Sequence, residues 1–345
     1  MSEHSNDSTN DTDLNAARAP EDVVNVGRAY HRKRTCRIMV DSSSDFAPAV
    51  LQRLGVDFIK ITYVTPEGER EDDLWQSQSA HTFYQTLRDN PDLHYTTCAI
   101  TPGRYLEIFE KAAQEGLPTI YLGLTEGLSS CIDNAFKAAE MLKEKYPDFE
   151  LYIVDCRCDS AAAELLTIEV VRQATRGLTP RELYDWACEA RYFIHGYFTL
   201  ENFSALAAGG RIPPAAATVG GKLDVKPVLS YDTTGALTLQ GLCRGRKKAL
   251  RAIIQDFRDN YAHDTSLPLG IVSADAEKDA DWLEREVRKQ DGCENVSIIR
   301  SQVSPILGSH VGPGMVALVF WGTDRREKLS FTDKLARKVR RRNAE

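Results

Sequence analysis

The run TIYLGLTEGLSSCIDNAFKAAEMLKEKYPDFELYIVDCRCDSAAAELLTIEVVRQATR, residues 119–176, reads as strand, helix, strand, helix. Thr119–Leu124 and Leu151–Val154 are short apolar strands, and Ser129–Lys145 and Ser160–Arg176 are helices long enough to cross back over a sheet. Strands separated by helices of this length imply right-handed βαβ units and a parallel sheet.

The same alternation extends on both sides. Cys36–Val40 is a strand that runs into Asp41-Ser42-Ser43-Ser44-Asp45, an Asp/Ser cluster read as the cap of a helix over Ala47–Leu54. Phe58–Val64 reads as one strand and residues 79–89 as a helix, and Pro102–Gln114 is a helix with proline in its first turn. After Gly177-Leu178-Thr179-Pro180 the texture changes. Tyr197–Leu200 is a short strand, residues 207–221 are rich in Gly, Pro and Ala, and Val228–Tyr231 and Leu237–Gln240 form a hairpin through Asp232-Thr233-Thr234-Gly235. A basic helix over 246–259, the strand Leu269–Val272, a helix over 277–289 and strands over 296–302 and 315–321 follow. The fold class is α/β with two α/β domains, an N-terminal one (35–178) on a mainly parallel sheet and a C-terminal one (179–324) on a mixed sheet. Residues 1–34, almost wholly polar at their start, read as a disordered extension, and 325–345 as a basic amphipathic tail.

Composition narrows the function. With 42% hydrophobic and 27% charged residues the chain is an ordinary globular protein with a full core. No stretch approaches the 18 or so apolar residues of a membrane span. A net charge of −7 argues against general nucleic-acid binding. The absence of an apolar leader points to the cytoplasm. The eight cysteines read as reduced thiols rather than metal ligands or disulfides. Residues 325–345 carry nine Lys or Arg and three Asp or Glu, a net +6, so the rest carries −13. Phe331, Leu335 and Val339 would share one face of a terminal helix. Two readings stand: a surface that touches anionic membrane, or a solvated helix packed lightly on the second domain.

Phosphate-loop, dinucleotide-turn, nucleophile-elbow and metal-helix signatures are missing. Three polar clusters remain at strand ends: Thr96-Thr97-Cys98, Thr125-Glu126-Gly127-Leu128-Ser129-Ser130, and Gly308-Ser309-His310-Val311-Gly312-Pro313-Gly314, the last read as an irregular loop presenting one imidazole. Hydroxyls and free N–H groups at helix starts can hold an anion. They serve equally as plain caps, and a histidine in a Gly-rich turn can be purely structural. Spacing alone leaves both open.

Taken together and in order, these segments resemble the DegV family of bacterial fatty-acid-binding proteins, the lipid-carrying partners of fatty acid kinase, from about Arg37 to Gly322. Asp41–Asp45 resembles the family's opening Asp-Ser-Thr-x-Asp, and Thr97–Pro102 sits where it has Thr-Ser-Gln-Pro-Ser. Leu128-Ser129-Ser130-Cys131 stands for Leu-Ser-Gly-Thr, Gly209-Gly210-Arg211-Ile212 for Gly-Gly-Arg-Ile, and Lys226-Pro227-Val228-Leu229 for Lys-Pro-Ile-Leu. Arg244–Ala249 resembles the Arg-rich helix start and Ser309–Gly314 the His-x-Gly-Pro-Gly turn. Cys98, Ser130 and Cys131 depart from the family's Ser, Gly and Thr.

The resemblance implies an acyl tunnel with a carboxylate site at the domain interface. Thr97, Cys98, Ser129, Ser130 and His310 would meet the carboxylate of a long-chain fatty acid or related acidic lipid. Arg211, Arg244 and Arg246 would face the kinase or the phosphorylated product. It implies no catalysis by the chain itself and no cofactor beyond the bound acid. A sixteen-carbon acid would bury about 14 methylenes at roughly 0.8 kcal/mol each, less several kcal/mol for association and ordering. The tail would supply affinity and the head-group site orientation. The competing enzyme reading is an ester or thioester hydrolase with Ser129 as nucleophile and His310 as base.

Overall fold

A computed structural model describes residues 34–213, Ala216 and 225–327. Residues 1–33 of the expected extension, and Phe331, Leu335 and Val339 of the tail, lie outside the described residues.

Strands β1 (Arg37–Asp41), β2 (Asp57–Ile59), β6 (Thr119–Gly123) and β7 (Leu151–Asp155) form a four-stranded sheet in the order β2-β1-β6-β7, parallel throughout. Helices α1 (Pro48–Leu54), α3 (Pro102–Glu115) and α4 (Cys131–Lys145) belong to this unit. In α3 the Thr101 hydroxyl accepts the Arg104 N–H, Pro102 opens the first turn and Gly116 closes the helix in the left-handed conformation. Its buried residues Tyr105, Phe109 and Ala112 recur at helical spacing, which is why one stripe packs while the rest stays wet.

The second sheet has six strands in the order β10-β9-β8-β13-β11-β12, with β8 at Ile194–Thr199, β9 at Val225–Tyr231, β10 at Leu237–Arg244, β11 at Leu269–Ser273, β12 at Ile298–Gln302 and β13 at Val316–Trp321. Its pairs are antiparallel except β11 with β12. The strand expected over 315–321 is β13, buried on both faces. Val316, Leu318 and Phe320 pack with helices α8 (Arg246–Asn260) and α9 (Glu277–Val287), whereas Ala317, Val319 and Trp321 join the core shared with the first unit. Between the sheets lies α5 (Ser160–Arg176), with fourteen of its seventeen residues buried. A helix apolar nearly all round has to be enclosed, and α5 packs on β8, β11 and β13.

Four local features differ from the sequence reading. Helix α6 (Pro180–Ala190) packs on β6 and β7, so the change of sheet falls at Ile194 rather than at residue 179. The stretch 58–64 is two strands: the Ile61 N–H is taken by the Ser42 hydroxyl at 3.1 Å instead of a ladder partner. The chain there crosses into a small antiparallel sheet, β4-β3-β5, of β3 (Thr62–Thr65), β4 (Gly68–Glu71) and β5 (Thr96–Cys98). The Asp/Ser cluster does not cap α1, which starts from Ala47 and Pro48; Asp41 instead caps the 3-10 turn Ser42–Ser44. Residues 305–311 are helical, and His310 lies in the last turn of α10 (Pro305–Val311), because Pro305, Ile306 and Leu307 form a buried first turn before Gly312 ends it.

Candidate functional site

The site is held by carboxylates that never reach solvent. Asp41, at the end of β1, accepts the Ser43 N–H at 3.0 Å on Oδ1, and the Tyr121 hydroxyl at 2.7 Å and Leu124 N–H at 2.9 Å on Oδ2. It thereby fixes the loop from Leu124 that carries Ser129. Asp45 accepts the Ser160 hydroxyl and, at 2.8 Å, the Ser304 N–H. Asp72 accepts the Leu74 and Ile306 N–H groups, each at 3.0 Å. Asp45 and Asp72 thus grip the start of α10, where unpaired N–H groups favour an acceptor. Burial pushes the carboxyls of Asp41 and Asp45 upward, and that of Asp72 to about 7.

At the other end of α10, His310 Nε2 lies 2.9 Å from the Thr97 hydroxyl on β5. Its Nδ1 is buried with no hydrogen-bond partner. Burial first, and the Arg211 charge second, depress this imidazole to about 4, so it is neutral at neutral pH. A buried ring nitrogen without a partner is costly. Gly209 makes room for it: a Cβ there would stand 2.1 Å from Nδ1.

Ser129 and Ser130 precede α4. The Ser129 hydroxyl accepts the Cys131 N–H at 3.2 Å, and buried Cys131 accepts the Ile100 N–H on its sulfur at 3.4 Å. A thiol can therefore stand where the family pattern has threonine. Ser130 has φ −78°, ordinary backbone that does not call for the glycine of that pattern. Arg211 comes from the second unit and donates from Nε to the Leu128 carbonyl at 3.1 Å and from a terminal nitrogen to the Gly209 carbonyl. The loop also packs tightly on the β9–β10 turn. A Cβ at Gly127 would meet the Ala236 nitrogen at 2.4 Å, and Arg157 donates to the Thr234 carbonyl at 2.9 Å.

Thr97, Cys98, Ser129, Ser130, Arg211 and His310 all line one cavity. Its remaining wall is mostly apolar, including Ile61, Leu124, Leu206, Leu237 and Ile306. About 610 Å³ inside it is free of atoms when the open mouth is counted.

Arg244 and Arg246 are not brought to this cavity. Arg244 is exposed and lies seven residues along β10 from the lining residue Leu237, roughly 23 Å at strand spacing. Arg246 is committed to structure: Nε donates to Asp279 at 2.8 Å and a terminal nitrogen to the Gly314 carbonyl at 2.5 Å. Nor do Ser129 and His310 form a nucleophile–base pair. Among the described residues no hydrogen bond joins them, since His310 Nε2 faces Thr97 and the Ser129 hydroxyl serves Cys131. Arg325, at the start of the basic segment, donates to the carbonyls of Asp232 at 2.9 Å and Arg191 at 3.1 Å. No helix among the described residues is long and apolar enough to cross a membrane.

Sequence reasoning missed Asp72, Gly209 and Asp159, another residue of the cavity wall. The Gly-Gly-Arg segment was noticed for its arginine, and only a position facing a buried ring singles out its first glycine. Asp72 follows the exposed Glu69, Arg70 and Glu71, and nothing local marks it as buried.

Fold and site together define a two-unit α/β protein with an apolar cavity and a polar mouth assembled from both units. The chain belongs to the DegV family: the model described as "Uncharacterised protein, DegV family" matches residues 35–322. A DegV domain-containing protein of Clostridium perfringens is 27% identical over 285 residues, covering 83% of this chain and 97% of that protein. Solved structures share the fold. A DegV lipid-binding protein from Thermotoga maritima has TM-score 0.72 and 24% identity, covering 85% of this chain and 100% of its own. A Thermus thermophilus family member described as binding fatty acid has TM-score 0.72 and 20% identity, with 84% and 100% covered. The Streptococcus pneumoniae fatty acid kinase B3 protein, loaded with linoleic acid, has TM-score 0.71 and 20% identity, with the same coverage.

Proposed function

We propose that this chain binds a long-chain fatty acid or related acidic lipid, buries its tail in the apolar cavity and presents its carboxylate to a fatty acid kinase, without transforming it. One observation carries the reading: Thr97 and Ser129 from the first unit and Arg211 and His310 from the second meet at the mouth of a single apolar cavity. A carboxylate leaving water needs donors and a compensating charge. The hydroxyls and the Arg211 guanidinium provide them. An arriving carboxylate also favours the imidazolium form of His310, so binding would take up a proton. The kinase role is supported by the Streptococcus pneumoniae protein, whose description joins it to fatty acid kinase.

The test is to extract and identify lipid from the purified protein, then titrate delipidated protein with fatty acids. His310→Ala should weaken binding about ten-fold or more, the scale of one charge-assisted hydrogen bond. Unchanged affinity would remove the head-group assignment. Acyl phosphate should form only when a fatty acid kinase and ATP are added.

A further inference from the structure

Asp159 is a carboxylate in the wall of the mostly apolar cavity. Its side chain is not held there by helix capping. It occupies the N-cap position of α5, where aspartate normally accepts a backbone N–H, yet makes no such bond. The backbone turns instead: Ser160 has φ +54°, a left-handed conformation that a non-glycine residue adopts at a cost, and donates its hydroxyl to Asp45. Asp159 is thereby turned toward Tyr231, whose hydroxyl donates to Oδ1, and toward the cavity, which it lines. It is only 9% exposed, and burial pushes its carboxyl up to about 6. Protonated or not, the group retains lone pairs that can accept a hydrogen bond. A plain methylene chain offers it nothing and leaves it desolvated.

We propose that the cavity prefers an acyl chain bearing a hydroxyl group along its length, which donates to Asp159, over an unsubstituted chain. This rests on the fatty-acid-binding reading above and names the class of ligand within it. Asp159 then acts as a specificity residue, with Tyr231 setting the orientation of its carboxyl group. The asymmetry is physical: a site with a buried polar group rejects a ligand that leaves it unpaired more strongly than an apolar site rejects an added hydroxyl.

The experiment is displacement of a bound fluorescent fatty acid by unsubstituted saturated acids and by monohydroxy acids of equal length, the hydroxyl moved along the chain. Wild-type protein should favour at least one positional isomer over the plain acid by roughly ten-fold. Asp159→Val should reverse that order, and Asp159→Asn, which keeps an acceptor oxygen, should retain it. If no isomer outcompetes the plain acid on wild-type protein, the proposal is wrong, whatever the variants do. It is equally wrong if Asp159→Val keeps the preference. If neither class binds, the fatty-acid reading itself fails and this inference falls with it.

Discussion

The two ends of α10 are built on opposite terms. At its start two backbone donors are answered: Asp45 takes the Ser304 N–H and Asp72 the Ile306 N–H, and the Tyr84 hydroxyl donates to the Val303 carbonyl at 2.6 Å. At its end His310 keeps one nitrogen unpartnered, against a glycine and beside a cavity. Satisfied buried polar groups fix a structure, and an unsatisfied one is a cost the fold carries at its site. One end of a seven-residue helix is anchor, the other instrument.

Several variants would break or sharpen that contrast. The largest effect belongs to the anchor. Asp45→Ala leaves the Ser304 N–H and the Ser160 hydroxyl without their acceptor and should lower unfolding stability by about 2–4 kcal/mol, measured by urea denaturation. Next come opposite pH slopes. The Asp72 carboxyl is raised to about 7, so its contribution is fullest below its unfolded value near 3.8 and is lost as pH rises through 7. The His310 ring is depressed to about 4, so its contribution is present above its unfolded value near 6.5 and is lost as pH falls through 4. Relative to wild type, between pH 4 and 7, Asp72→Asn should lose stability as pH falls and His310→Gln should gain it, each by roughly 3 to 4 kcal/mol. Parallel slopes would show that the two ends do not differ in this way.

A smaller change tests the instrument alone. Gly209→Ala places a methyl against the imidazole, and Gly209 has φ −80°, so the backbone accepts alanine. Fatty-acid affinity should drop about ten-fold, near 1.4 kcal/mol, beside the roughly 1 kcal/mol of stability that displacing the ring costs. Affinity left at the wild-type value would make Gly209 a packing residue only. The smallest effect is Tyr121→Phe, which removes one of the donors to Asp41 and should cost about 1 kcal/mol while loosening the loop that carries Ser129.

Much of this was legible in the chain itself. The βαβ alternation over 119–176 yields the parallel sheet because apolar strands and helices of crossover length leave few other arrangements. The hairpin through 232–235 follows from its turn residues. The 58–64 break was not legible, since the Ser42 hydroxyl that interrupts it comes from nineteen residues earlier. Helix α10 escaped notice because it is short and contains glycine, so propensity argues against it, and buried contacts override that. Thr97, Ser129, Arg211 and His310 were named from the motifs and do converge. Arg244 and Arg246 belong to the same motif order but do not line the cavity, because sequence order carries no information about which way a strand runs from it.

The amino-acid sequence alone determined the fold class, the family and the residues at the polar mouth, all of which depend on local periodicity and on motif order. Tertiary structure alone decided that buried Asp45 and Asp72 hold α10, that Gly209 clears space for His310, and that Asp159 lines the cavity. Those properties depend on which groups lose water on folding, and burial is set by neighbours far away along the chain.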